Sequence, residues 1–158
     1  MPPETDEVVP NFEAVLCDGE VFEDKELDEV LGERGAVLYF HGFVFSAIAR
    51  HWWKRFDRND WDQFDEVPVI GIGRDGPFAQ NAFLRKVDSP FSVFSDVDGY
   101  ITDEFDLRME RDGMAHVTTP RRSVFVLNQD REVCFRWLSK YTTSPPPVDE
   151  IEDAVDEL

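Results

Sequence analysis

Thiols are scarce in this chain. Two cysteines, Cys17 and Cys134, occur in 158 residues, too few for a disulfide framework and not arranged as CxxC. Three histidines, His41, His51 and His116, lack ligand-type spacing, so no metal site and no cofactor is expected. No apolar run approaches the ~18–20 residues that span a bilayer. The opening MPPETDEVVP has neither the basic segment nor the apolar stretch of a secretory signal, which makes the cytoplasm the expected compartment. Positive charge is also short: 16 Lys+Arg against 34 Asp+Glu leave a net charge of -18. Phosphate backbones and anionic membrane surfaces need clustered cations, so nucleic acid and membrane partners are excluded. Lysine is rarer still, 4 against 12 Arg. Acid excess with little lysine points to adaptation to concentrated salt, where a Debye length of ~3 Å at 1 M screens neighbouring carboxylates.

What is present suffices for one folded domain over residues 1–158. Apolar residues make up 42% and aromatics 13%, which excludes general disorder. There is no internal repeat and no domain boundary. Residues 1–9 are acidic and proline-bearing, and read as a loose lead-in. Phe12 to Cys17 with the Asp18-Gly19 turn and a return at Val21-Phe22 predicts an N-terminal hairpin, followed by a short helix around Lys25–Leu31. The uninterrupted Ala36–Phe40 and Val67–Ile72 predict strands buried on both faces. From an N-cap at Ser46, Ile48, Trp52 and Phe56 recur at helical spacing. Pro77 opens another helix, Ser92–Phe94 is a short strand, and Thr102–Leu107 a short helix. Residues 108–120 read as irregular. Ser123–Leu127 and Glu132–Leu138 flank a turn at Asn128–Asp130. After the proline run comes a final helix in the segment 144–158, with Val148, Ile151, Val155 and Leu158 as its apolar stripe. Helices alternating with buried strands, and a late hairpin, predict an α/β three-layer sandwich with a central mixed sheet.

Two segments carry candidate chemistry. Gly71-Ile72-Gly73-Arg74-Asp75-Gly76 is a literal GxGxxG between strand and helix, with Asp96 20 residues after Gly76. That is the dinucleotide fingerprint, although a tight strand-to-helix turn that needs glycine is the simpler explanation. The second is His41 to Arg50, a helix start at the end of a buried strand, where free amides favour anions and thiolates. No Cys and no carboxylate lies on its first turn.

VLYFHGFVFSAIARHWWKRF resembles the active-site segment of peroxiredoxins, the alkyl hydroperoxide reductase and thiol-specific antioxidant family. There a strand like VLYFYP leads into a Pro-x-x-x-Thr-x-x-Cys motif. The resemblance places Gly42 at the proline, Ser46 at the threonine and Ala49 at the peroxidatic cysteine. Val69 to Asp75, and Phe91 to Gly99, resemble the family's later segments. Arg122-Ser123-Val124-Phe125-Val126-Leu127 is similar to the strand bearing its active-site arginine, which makes Arg122 the match. About residues 10–140 are covered. The resemblance implies a thioredoxin-like fold, an antioxidant oxidoreductase ancestry, a peroxide-like or other small-molecule ligand, and association into homodimers. It also reads the GxGxxG as a turn of that fold.

Peroxide reduction needs a thiolate that becomes a sulfenic acid, and Ala49 offers no lone pair. The leading expectation is therefore a degenerate peroxidase with a remnant pocket around Phe43, Ser46, Arg50 and Arg122, with Arg121 close by. Two alternatives stand beside it: a working thiol-dependent peroxide reductase using Cys17 or Cys134, and nucleotide binding at Gly71–Gly76.

Overall fold

The computed structural model describes all residues from Met1 to Leu158. Nine strands and five helices follow one another. Strands β1 (Glu13–Cys17) and β2 (Phe22–Glu26) form the N-terminal hairpin, then come α1 (Leu27–Val30), β3 (Gly35–Phe40) and α2 (Ala47–Arg58). A 3-10 turn at Trp61–Gln63 precedes β4 (Val69–Gly73), α3 (Pro77–Lys86), β5 (Ser92–Ser95) and α4 (Tyr100–Glu104). A small hairpin, β6 (Arg108–Glu110) and β7 (Thr118–Pro120), leads into β8 (Ser123–Asn128), β9 (Val133–Leu138) and α5 (Val148–Asp156).

Seven strands make one sheet in the order β2-β1-β5-β4-β3-β8-β9. β3, β4 and β5 run parallel, while the remaining neighbours are antiparallel. The central strands β3, β4 and β8 are buried on both faces, and the alternation along β3 shows how. Val37 and Tyr39 point into a core shared with Trp53 and Phe56 of α2, Phe83 of α3 and Ile151 of α5. Ala36, Leu38 and Phe40 point into a second core with Phe12, Leu27, Ile101 and Phe105. This is the expected three-layer, thioredoxin-like sandwich. No helix is long and apolar enough to cross a membrane.

Several boundaries differ from expectation, each for a local reason. Lys25 and Glu26 pair with Ala14 and Glu13 as part of β2, so α1 starts only at Leu27, behind a capping box of Glu26 and Glu29. Asp96 caps α4 early, by accepting the Ile101 and Thr102 amides at 2.9 Å. That moves the helix from 102–107 to Tyr100–Glu104. Residues 108–120 contain the β6–β7 hairpin instead of irregular chain. The lead-in is not loose. Val133 donates to the Glu7 carbonyl, Asp6 and Val9 donate to the carbonyls of Val133 and Arg131, and Val9 is buried. The last helix begins at Val148, with 144–147 outside it.

Glycines at the end of β4 explain how the layers close. A Cβ on Gly71 would lie 2.4 Å from the Trp53 ring, and one on Gly73 would lie 2.4 Å from the His41 ring. The first two glycines of the GxGxxG stretch are therefore spent on close aromatic packing. Both Asp96 oxygens are likewise occupied, Oδ1 by Ile101 and Oδ2 by the Thr102 amide and hydroxyl. The same packing rotates α2 from its expected stripe: Ala49, Trp53 and Phe56 are buried, while Ile48 and Trp52 are only partly so.

Gly71→Ala should therefore destabilise the protein by about 1–3 kcal/mol, the usual cost of overpacking a filled core. Gly76→Ala, where a Cβ meets nothing within 4 Å, should cost less. Urea unfolding of the two variants beside the wild type checks this, and equal losses would contradict the packing role.

Candidate functional site

Register brings the site together. Phe40 at the end of β3 pairs with Ser123 at the start of β8, and Ser123 pairs with Leu138 at the end of β9. Arg122 therefore stands beside the β3–α2 loop, although 73 positions separate it from Ala49 (122 − 49).

The loop is pinned from beneath. The His41 amide donates to the Ile72 carbonyl at 3.0 Å, and His41 Nδ1 donates to the Gly42 carbonyl at 2.7 Å. Asp75 Oδ2 accepts the Val44 amide at 2.9 Å, and burial pushes the Asp75 carboxyl above its ordinary pKa. Phe45 adopts φ 66°, a left-handed conformation uncommon for a bulky residue, with its ring edge-on to Phe83. Ser46 then caps α2 as expected, its Oγ accepting the Ala49 amide at 3.2 Å. The Ala47 and Ile48 amides find no acceptor within the chain, so the positive end of the helix dipole stays open.

A cavity of about 80 Å³ opens at this tip, lined by Tyr39, Gly42, Ser46, Ala49, Arg111 and Arg122 among others. Gly42, Ser46, Ala49 and Arg122, brought together by the sequence reading, share it. Phe43 and Arg50 do not line it: Arg50 is exposed on α2, and the Phe43 carbonyl is spent on the Ser46 amide at 3.4 Å. Tyr39, Arg111 and Thr142 were missed. Tyr39 reads as a core aromatic, and the other two come from segments whose fold the sequence does not reveal.

Arg122 is the centre of the arrangement. Its guanidinium is buried (2% exposed) and has no carboxylate partner. Nη1 donates to the Thr142 and Ser144 carbonyls at 2.9 and 2.8 Å. Nε and Nη2 both donate to the Tyr39 hydroxyl, at 3.3 and 3.1 Å. Four of five guanidinium hydrogens are thereby used, which leaves one on Nη2. The Tyr39 and Trp137 rings flank the cation. Burial raises the Tyr39 pKa and the arginine opposes the rise, so the phenol is neutral and its oxygen accepts both arginine hydrogens.

Neither thiol reaches the cavity lining. Cys17 lies fully buried on β1, its Sγ 3.8 Å from the Pro77 carbonyl. Burial, then the neighbouring Asp18 charge, pushes it up to about 11. Cys134 falls within the predicted Glu132–Leu138 strand but does not pair. The register skips it between the Val126–Phe135 and Leu127–Val133 pairs, so it is the extra residue of a β-bulge and is exposed. It sits at the far end of the β8–β9 hairpin from Arg122, about 17 Å away at ~3.3 Å per strand residue. Partial burial, then Glu132, raises its pKa. No three His, Cys, Asp or Glu cluster as metal ligands.

His41 is fully buried, edge-on to Trp53, and its Nε2 has no partner. Burial, with a smaller contribution from Arg122, lowers its pKa from 6.5 to about 4. A proton there stays on Nδ1, so His41 is a neutral packing group. Its folded pKa lies below the unfolded one, so the unfolded chain takes up the proton first as pH falls. Wild type should therefore lose about 3 kcal/mol relative to His41→Gln between pH 6.5 and 4. Urea titrations across that range read the difference, and a flat difference would contradict a neutral buried imidazole.

The AhpC/TSA family model matches residues 5–136. No curated protein sequence matches significantly. Among solved structures, a cysteine-to-serine mutant of peroxiredoxin 6 from Arenicola marina is 18% identical, with TM-score 0.81 over 98% of this chain and 72% of that one. AhpC from Mycobacterium tuberculosis is 17% identical, with TM-score 0.80 over 99% and 93%. A mutant PrxQ from Xylella fastidiosa is 20% identical, with TM-score 0.77 over 98% and 94%.

Proposed function

Because the chain belongs to the AhpC/TSA family, we propose that it is a member that has lost the peroxidatic thiol and keeps the surrounding pocket for binding. The observation that carries this reading is the shared cavity of Ala49, Ser46 and Arg122, with neither Cys17 nor Cys134 on its wall. In a thiol peroxidase the thiolate sulfur attacks one peroxide oxygen and the O–O bond breaks. Sulfur is oxidised to sulfenic acid, and the other oxygen leaves as water or alcohol after taking a proton. Ala49 can form no such bond. The Ser46 hydroxyl is not a substitute, since nothing at hand takes its proton. Its oxygen is committed to the Ala49 amide. What survives is the orienting half of the machinery: the Ser46 hydroxyl, two free amides and one Arg122 hydrogen, all suited to holding an electronegative group.

Hydrogen peroxide consumption with a dithiol reductant in molar KCl tests this reading. Wild type should match a Cys17→Ser/Cys134→Ser control at the background rate. Consumption above that control would overturn it. The pocket also makes a positive prediction. Ala49→Cys should give a thiol at the helix tip that peroxide oxidises at least tenfold faster than Cys17 or Cys134, seen as a 16 Da gain by mass spectrometry. Helix dipole and guanidinium should both lower that thiol's pKa.

The family reading extends to self-association. Phe22 and Phe78, edge-on at 5.4 Å, and Phe45 are exposed large aromatics of the kind such a contact covers. Light scattering decides: a mass of twice 18.3 kDa supports a dimer, and 18.3 kDa counts against it.

A further inference from the structure

Beside the cavity at Ala49 lies a larger hollow of about 340 Å³, whose wall includes Arg111, Arg121, Arg122, Lys140 and Tyr141. Arg111, Arg122 and Thr142 line both, so the two adjoin. No Asp or Glu lines either one. None of the four cations has a carboxylate within 4.0 Å; among the 16 Lys+Arg, only Lys25, Arg108, Arg131 and Arg136 do. In a chain with 34 acids and 16 Lys+Arg, an acid-free hollow with four cations is a local reversal of the overall charge.

The donors there are largely unspent. The Arg111 side chain makes no hydrogen bond within the protein, although it is half-buried and its Nη2 lies over Gly42. Arg121 uses only Nε, on the Ser139 carbonyl at 2.7 Å. Arg122 keeps one Nη2 hydrogen, and its guanidinium is buried without a counter-charge. A buried cation lacking an anion costs several kcal/mol of desolvation unless something compensates it. The open amides of α2 add the positive end of a helix dipole at the same place.

From this we infer that the hollow binds a small polyanion, whose phosphate or carboxylate oxygens take the Arg111 and Arg121 forks and Lys140, with one end reaching the slot over Ala49. Arginine forks match either oxyanion bidentately. Four cations call for two or more negative charges on the ligand, because a single carboxylate leaves most of the field uncompensated. The ligand must be small, since the surrounding surface of an acidic chain repels an extended polyanion such as nucleic acid.

This inference deepens the proposed reading of the pocket, and the two can fail separately. Peroxide consumption by the wild type would remove the lost-peroxidase reading and leave polyanion binding untouched. Calorimetric titration with sodium pyrophosphate and with citrate, at fixed ionic strength and the lowest KCl that preserves the native circular dichroism, tests the inference itself. One saturable site per chain is expected for at least one probe. Pyrophosphate outcompeting citrate would identify phosphate as the source, and the reverse order would identify carboxylate. Arg111→Ala/Lys140→Ala should weaken binding at least tenfold. Lys54→Ala/Arg58→Ala, on α2 away from the hollow, should leave it unchanged. Arg111 and Lys140 make no side-chain hydrogen bond or ion pair, and Lys140 only lies over the exposed Tyr141 ring, so unchanged circular dichroism is expected for the first variant, and Arg111→Lys should retain part of the affinity. Absence of saturable binding for both probes, or equal weakening by the two double variants, would overturn the inference.

Discussion

The buried Arg122 fork is the constraint on which the site depends. It ties β3, through the Tyr39 hydroxyl, to the Thr142 and Ser144 carbonyls of the segment before α5. A lysine could not do this, having no planar fork to span three acceptors at once. Because the cation is held by neutral oxygens and two aromatic faces, its charge is directed into the cavity and not neutralised on site. The same group therefore organises local structure and sets the field that a bound molecule meets.

That arrangement separates two roles an oxidoreductase pocket combines. Positioning of an electronegative group rests on Ser46, the first amides of α2 and Arg122. Bond-making rests on one nucleophile. On the reading proposed above, a methyl at the nucleophile's position would leave the first role physically intact, because none of the contacts made by Ser46 and Arg122 passes through the Ala49 side chain. The Ala49 contribution is its backbone amide, which Ser46 caps. Family membership and fold are thus compatible with chemistry absent at the helix tip.

Much of this was legible in the sequence. Unbroken apolar runs identify β3 and β4, Ser46 marks the start of α2, and Ser123–Leu127 reads as the strand that β8 forms. The phase of α2 was not legible, because it depends on Gly71 admitting the Trp53 ring from another element. The tethered N-terminus was missed for the same kind of reason: its partners are backbone groups at Arg131 and Val133, which no side-chain pattern announces. Arg111 and Thr142 escaped because the β6–β7 hairpin and the stretch after β9 show no periodicity. The basic hollow is a property of three distant segments meeting, so counting charges along the chain could suggest only Arg121 and Arg122.

The two sulfur atoms occupy opposite extremes of accessibility. Cys17 is sealed between β1 and the start of α3, whereas Cys134 stands out on a bulge. An alkylating reagent meets one of them on the intact fold and both only after β1 has parted from the sheet. The chain thus carries its own internal gauge of opening at the β1 edge of the sheet, readable as labelling stoichiometry without any engineered probe.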